Sequence, residues 1–353
     1  MAIRWGIIGC GDVCEVKSGP AFYKARGSQL VCVMRRDAER AADFARRHGG
    51  VRHTTDAQQL IDDPEVDAVY VATPPGSHLE YALGVARAGK PCYVEKPMAR
   101  SARECALMIE AFERAGQPLF VAYYRRALPR FLKMREIIAS DVLGNISAVS
   151  HVYQGRAGAP IPSGPVAPRP WREDVPQSGG GLFVDLGSHV VDILDFLLGP
   201  LSAVSGIAAH RTSGLQVPEG APEDTVVMSF RTESGVLGGL RHQFHTSSAV
   251  DRLEFVGTRG TLSASLFGQE PLSLALSGGA PGQIEVQQPA HVHLPLVQTI
   301  VDQLSGLGGE CPSTGKSAMR ASAVVDQVLD GYYGGRSDDF WARPAAWPGT
   351  KSG

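Results

Sequence analysis

No stretch of the 353-residue chain reaches the ~18 consecutive apolar residues of a membrane-spanning helix, so a place in the bilayer is not expected. Charge of one sign is lacking too. With 34 Lys and Arg against 36 Asp and Glu the net charge is -2, which argues against nucleic acid or an anionic membrane surface as the main partner. The six cysteines (Cys10, Cys14, Cys32, Cys92, Cys105 and Cys311) form no C-x-x-C pair, and three sit in apolar, strand-like runs. Reduced thiols in a cytoplasmic protein are the expectation. The opening "MAIRWGIIGCG" enters a strand pattern at once, without the layout of a signal peptide. No internal repeat is present. A chain this long is expected to fold as two domains.

The first ~120 residues alternate strand and helix patterns, as in a parallel, doubly wound sheet with right-handed crossovers. "IRWGIIG", "QLVCVM", "VDAVYVAT", "PCYVEKP" and "PLFVAYY" read as buried strands. A helical stretch to about Gly27 follows the first. "DAERAADFARRHG" reads as a helix capped by Asp37, and "SARECALMIEAFERAG" opens on a capping-box pattern, Ser101 with Glu104. After the helix "YYRRALPRFLKMREIIAS" the texture changes to short alternating segments, the pattern of a largely antiparallel sheet. Among these, "TVVMSF-RTESG-VLGGLRHQF" predicts a hairpin with Gly235 in its loop. The expected division is a dinucleotide-binding domain over residues 1–122 and an α+β domain over 123–353. A late helix, "AMRASAVVDQVLDGYYGG", packs back on the body. The Pro- and Gly-rich "RAGAPIPSGPVAPRPWREDVPQSGGG" is a loop long enough to be a lid.

Gly9-Cys10-Gly11 stands between the first strand and a helix, where a glycine turn lets backbone N–H groups approach a pyrophosphate. The third small position holds Cys14, so the fingerprint is incomplete and an ordinary tight turn is the alternative. Asp12 and Val13 open the helix, where the backbone matters more than the Asp12 charge. Arg35 and Arg36 end the second strand with no acid before Asp37. Arg suits a 2′-phosphate, whereas Asp or Glu suits ribose hydroxyls, so the pair favours NADP over NAD unless it is simply a solvated turn. Glu95-Lys96-Pro97 lies at the carboxyl end of a parallel strand, and Thr73, Pro74, Pro75 and His78 end the preceding one, the edge where such sheets bind ligands.

"GGGLFVDLGSHVVDILDFLLG" predicts an apolar helix with a polar stripe. At about 100° per residue, His189 lies about 40° and Asp192 about 20° around the axis from Asp185. Such groups need partners or a cavity. They are metal ligands, an acid–base pair, or a satisfied seam in the core. Zinc would want further ligands nearby, and His242 and His245 sit on opposite faces of a strand. Asp192 reads as structural.

Taken together these segments resemble the glucose–fructose oxidoreductase / inositol dehydrogenase / MocA (Gfo/Idh/MocA) family of NAD(P)-dependent oxidoreductases. The likeness rests on the glycine turn, "TPPGSH" (the family favours TPN-x-x-H), "EKP", "YYRRALPRF", "LGNISAV", "WR" before the glycine run, "GGGLFVDLGSHVVDIL" and "EFVGTRGTL". It implies a Rossmann domain followed by an α+β domain with a large, mostly antiparallel sheet. It also implies that Lys96, Asp185 and His189 surround the substrate carbon at the nicotinamide. His189 would accept the hydroxyl proton, a role Lys96 can share; Lys96 would hydrogen-bond the oxygen, and Asp185 would orient the imidazole or bind a neighbouring hydroxyl. Glu95 falls on the cofactor side. Tyr124 would line the sugar pocket, and Arg125 and Arg126 would be helix-entry surface charges unless one of them, Arg125 first, serves the site. Trp171 and Arg172 would cover the cofactor or anchor their loop. The expected activity is hydride transfer between NADP or NAD and a secondary hydroxyl or ketone of a sugar, polyol, glycoside or cyclic diol. A homo-oligomer, dimer or tetramer, follows by the same resemblance. Two other readings stay open: a catalytically silent NADP-binding sensor or assembly protein, and a metal-dependent hydrolase or lyase.

Overall fold

The computed structural model describes residues 2–156, 170–214 and 216–351. By contact density the chain divides into two units, one of Met1–Leu128 with Pro289–Met319 and one of Pro129–Gln288 with Arg320–Gly353.

The first unit carries the expected parallel sheet. Its elements begin β1 (Ile3–Ile8), α1 (Asp12–Val16), α2 (Ala21–Lys24), β2 (Ser28–Met34), α3 (Ala38–Arg47), β3 (Arg52–Thr54) and α4 (Ala57–Asp62). They continue β4 (Ala68–Val71), α5 (His78–Arg87), β5 (Cys92–Val94), α6 (Ala102–Ala115) and β6 (Leu119–Val121). Strand order is β3-β2-β1-β4-β5-β6, all pairs parallel, so the order reverses between β1 and β4. Ligands of such sheets bind at that crevice, beyond the carboxyl ends of the strands. The single helix expected after β1 is instead two short ones. Gly19 and Pro20 break it, and a Cβ on Gly19 would lie 2.0 Å from the Cys14 carbonyl oxygen. Strand β3 gave no sequence signal because "RHT" has no apolar face, and helix α4, capped by Asp56, is only 6 residues long.

The second unit opens with α7 (Pro129–Ala139), β7 (Ile146–Arg156), α8 (Val175–Ser178) and α9 (Ser188–Leu198). Then come β8 (Leu201–Ala209), β9 (Thr225–Thr232), β10 (Leu237–Thr246), β11 (Val250–Gly257), β12 (Gly260–Ala264), β13 (Leu272–Leu276) and β14 (Gly282–Ile284). The eight strands run β14-β13-β12-β11-β7-β10-β9-β8, antiparallel except for β10 against β7. β9 and β10 form the expected hairpin, with Gly235 at φ +92°. Along β9 buried and exposed residues alternate, so one sheet face is apolar and packed. Of the stretch read as a lid, residues 157–169 lie outside the described residues.

The chain then returns to the first unit with α10 (Leu294–Leu304), and α11 (Gly315–Tyr333) contains the second boundary. Leu296, Val297, Ile300 and Val301 of α10 join the core formed by Trp5, Ile7, Phe22, Tyr70 and Tyr93. No helix among the described residues is long and apolar enough to cross a membrane.

The predicted caps are present. The Asp37 side chain accepts the Arg40 N–H, and the Ser101 hydroxyl accepts the Glu104 N–H. The box at α6 is not reciprocal, because the Glu104 carboxylate takes the Arg100 N–H and guanidinium. Replacing Ser101 by Ala should lower the unfolding free energy by roughly 0.5–2 kcal/mol, seen as a shifted urea midpoint at unchanged slope.

Candidate active site

In the first unit the glycine turn is built for close approach. Gly9 has φ +87°, and a Cβ there would meet Thr73 Cγ2 at 2.6 Å. A Cβ on Gly11 would meet only the Gly9 oxygen, at 3.9 Å, and Gly11 precedes α1 with no side-chain cap. Cys14 is fully buried, with Sγ 3.7 Å from Ser18 Oγ, so cysteine is accommodated where a smaller residue is usual. Burial raises its thiol far above the ordinary range and pushes that of Cys10 up to about 11. Asp12 is exposed and Val13 half-buried. Arg35 Nη1 donates to the Cys10 carbonyl oxygen at 3.2 Å, while Arg36 is exposed.

The loops after β4 and β5 are tied by His78. Its Nε2 lies 2.6 Å from the Thr73 carbonyl oxygen, and its Nδ1 lies 3.1 and 3.2 Å from those of Pro97 and Met98. Complete burial lowers its pKa. Thr73 Oγ1 accepts the Ser77 hydroxyl, Pro74 is half-buried and Pro75 is buried. Beyond β5, the Glu95 carboxylate accepts the Tyr70 hydroxyl at 2.5 Å and the Lys96 N–H at 3.2 Å. His293 Nε2 lies 3.7 Å from Glu95 Oε1, and its Nδ1 is 3.0 Å from the Tyr93 hydroxyl. Burial, with Lys17, Lys96 and Arg125 around it, brings the His293 pKa down to about 3. Tyr124 lies against the His293 ring at 4.6 Å, with the Arg125 guanidinium 5.0 Å from the Tyr124 ring. The surface reading of Arg125 and Arg126 fails, since they are 7% and 4% exposed.

In the second unit the predicted helix is irregular at its start. Phe183–Gly187 form a π turn that leads directly into α9. A π turn has more than four residues per turn, so the 100° spacing does not hold between Asp185 and His189. Arg172 Nε lies 3.3 Å from Asp185 Oδ2, and the Arg172 guanidinium lies 4.3 Å from the Trp171 ring. His189 is 4% exposed and Asp192 fully buried.

The glycine run is for packing rather than room. A Cβ on Gly181 would stand 2.2 Å from the Glu223 carbonyl oxygen, and one on Gly180 2.4 Å from Val184. The Gly181 N–H donates to both oxygens of the buried Glu223 carboxylate at 3.0 Å. Burial raises the Glu223 pKa against the opposing influence of the Tyr333 hydroxyl and Arg336.

Sequence reasoning missed three buried polar groupings: Tyr70, Tyr93 and His293 around Glu95; Glu223 behind the glycines; and a histidine pair on Asp251. The available signal for the first was a tyrosine in each of two aliphatic buried strands, whose hydroxyls need partners. In the third, His151 Nδ1 is 2.8 Å from His242 Nε2, and His151 Nε2 is 3.0 Å from Asp251 Oδ1. His242 therefore pairs with His151, while His245 meets Glu173 at 3.4 Å. Among the described residues no three His, Cys, Asp or Glu side chains are placed to hold a metal ion.

Burial works to raise the Asp251 pKa, but hydrogen bonds from His151 and the Phe267 and Leu266 N–H groups outweigh it and bring it to about 2, from 3.8. A depressed carboxyl stabilises the fold above its unfolded pKa, and that stability is lost as pH falls through the folded value. Urea titrations from about pH 5 to about pH 2 should show wild type losing on the order of 2 kcal/mol more than Asp251→Asn.

Comparison with known proteins agrees with this layout. Residues 3–123 match the model of the GFO_IDH_MocA oxidoreductase family with an NAD-binding Rossmann fold, and residues 131–263 match the GFO/IDH/MocA C-terminal domain. The chain is 36% identical to Oxidoreductase P35 of Formosa agariphila, over 94% of this chain and 98% of that one. It is 30% identical to 1,5-anhydro-D-fructose reductase of Ensifer adhaerens, over 91% and 93%. A solved levoglucosan dehydrogenase, in complex with NADH and levoglucosan, shares the fold at 22% identity, with a TM-score of 0.79 over 94% of this chain and 97% of that one. The chain belongs to the Gfo/Idh/MocA family of oxidoreductases.

Proposed function

We propose that this chain moves hydride between NADP and a secondary hydroxyl or ketone on a sugar, polyol, glycoside or related cyclic diol. The carrying observation is Lys96, which follows β5 at the carboxyl edge of the parallel sheet, with its own N–H on the buried Glu95 carboxylate. The glycine turn fits a dinucleotide, because Gly9 tolerates no side chain and Gly11 keeps the space beside the backbone open. When bound, the nicotinamide ring supplies the redox chemistry.

The chain's own groups handle the oxygen and its proton. The Lys96 ammonium donates a hydrogen bond to the alcohol oxygen and stabilises the negative charge that develops there. The His189 imidazole takes the hydroxyl proton. Asp185 orients that imidazole or binds an adjacent hydroxyl. Tyr124 and Arg125 serve the substrate side. Thr73, Pro74, Pro75, His78 and Glu95 shape the cofactor side, and Arg172, stacked on Trp171, holds Asp185 within the second unit. The sugar-derived compounds named for the relatives support the substrate class.

NADP is favoured because the nearest acid after β2 is already engaged. Asp37 caps α3 and lies 3.4 Å from Arg40, while Arg36 is exposed and Arg35 is held beside the glycine turn by its Nη1 bond to the Cys10 carbonyl, a placement that suits a 2′-phosphate. On the outer sheet face, exposed Ile207 and Val227 are register partners, which supports pairing with a second copy that light scattering would detect.

Turnover is tested on a panel of sugars, inositols, glycosides and diols with each cofactor, followed by nicotinamide absorbance. Lys96→Ala should abolish turnover and leave the cofactor Kd near wild type; retained activity refutes the role. Replacing Arg35 and Arg36 together by Ala should raise the KM for NADP on the order of 10-fold or more and leave that for NAD little changed, as loss of charge-assisted phosphate contacts requires.

A further inference from the structure

The buried pair His151 and His242 lies on neighbouring strands, β7 and β10, and Asp251 lies on β11 at the other side of β7. Asp251 has two separate sets of partners. Oδ1 meets His151 Nε2, while Oδ2 accepts the Phe267 N–H at 2.6 Å and the Ser265 hydroxyl at 3.0 Å, and the Leu266 N–H of the same loop also donates to the carboxylate.

Both sets lead to the helix that carries Asp185 and His189. The His242 ring stands edge-on to the Phe183 ring, with centroids 5.4 Å apart. Phe183 begins the π turn, and a Cβ on Gly187 would strike its ring at 2.4 Å, so the turn closes directly on that side chain. The Phe267 ring stands edge-on to the His189 ring at 6.3 Å. We infer that Asp251 is a positioning residue for Asp185 and His189: one oxygen orders the histidine pair that seats Phe183, and the other holds the loop that sets Phe267 against His189. This rests on the reading above that Asp185 and His189 serve the substrate.

The order runs in one direction. An ionised carboxylate only accepts, so His151 presents Nε2–H to Asp251. With one proton on each ring, His151 Nδ1 then accepts, and His242 donates its Nε2–H. Complete burial keeps the His242 pKa well below the usual imidazole value. An amide at position 251 reverses this order. Its oxygen is needed by Phe267 N–H and Ser265, so its NH2 group turns to His151 Nε2 and moves the proton of each ring to Nδ1. The same logic explains why an amide in place of a triad aspartate imposes the wrong imidazole tautomer.

The test is the imidazole 15N spectrum of histidine-labelled protein, with each ring assigned by a single replacement. Wild type should show Nε2–H tautomers at His151 and His242. Asp251→Asn should show Nδ1–H at both, with the His189 resonances displaced. His242→Phe removes the hydrogen bond to His151 without changing charge, and should also displace His189. In both variants kcat should fall on the order of 10-fold to 100-fold with the cofactor Kd unchanged, as misplacement of reacting groups predicts. Both are first checked for wild-type circular dichroism; if one does not fold, the other decides. Unreversed tautomers in Asp251→Asn, or His189 resonances that stay at their wild-type positions in either variant, overturn the inference. The spectra need no substrate, so absence of turnover in wild type refutes the catalytic reading alone.

Discussion

A carboxylate taken out of water must be met by donors, and much of this structure follows from how three of them are met. Glu95 is matched by the Tyr70 hydroxyl and the Lys96 backbone N–H. Glu223 is matched by the Gly181 N–H and the Tyr333 hydroxyl. Asp251 is matched by an imidazole, a hydroxyl and the Phe267 N–H. In each case a backbone N–H is among the donors, so satisfying the charge also fixes the chain. The fixed residues adjoin Lys96, the π turn before His189, and the loop bearing Phe267.

This constraint explains the chain's use of glycine near the proposed site. Gly181 is small because its N–H has to reach a carboxylate with the Glu223 backbone in contact behind it. Gly187 is small because the π turn folds onto Phe183. Gly9 differs from both: its left-handed φ and the nearness of Thr73 are properties of the turn itself.

The sheet classes were legible because their signals are local. Continuous apolar strands marked the parallel sheet, alternation marked the antiparallel one, and Asp37 and Ser101 marked their helices. Lys96, Asp185 and His189 were legible as motif residues. The groups behind them were not, because their partners are far apart in sequence: 200 residues separate Tyr93 from His293, and 91 separate His151 from His242. The regular helical spacing assumed for the Asp185 stripe also failed, since a π turn leaves no mark in the apolar pattern. His78, His151 and His242 are buried in hydrogen-bonded or paired settings, which a single sequence gives no means of pairing.

Unit one is discontinuous in the chain, and this bears on the order in which it can be made. Its core needs Leu296, Val297, Ile300 and Val301 beside Trp5 and Phe22, yet these arrive only after the whole eight-stranded sheet has been synthesised. During translation the nucleotide-binding sheet therefore waits with an apolar face open. His293, which reaches Tyr93 and Glu95, arrives on the same segment, so the Lys96 loop acquires its full support only after the strands of the second unit have been made.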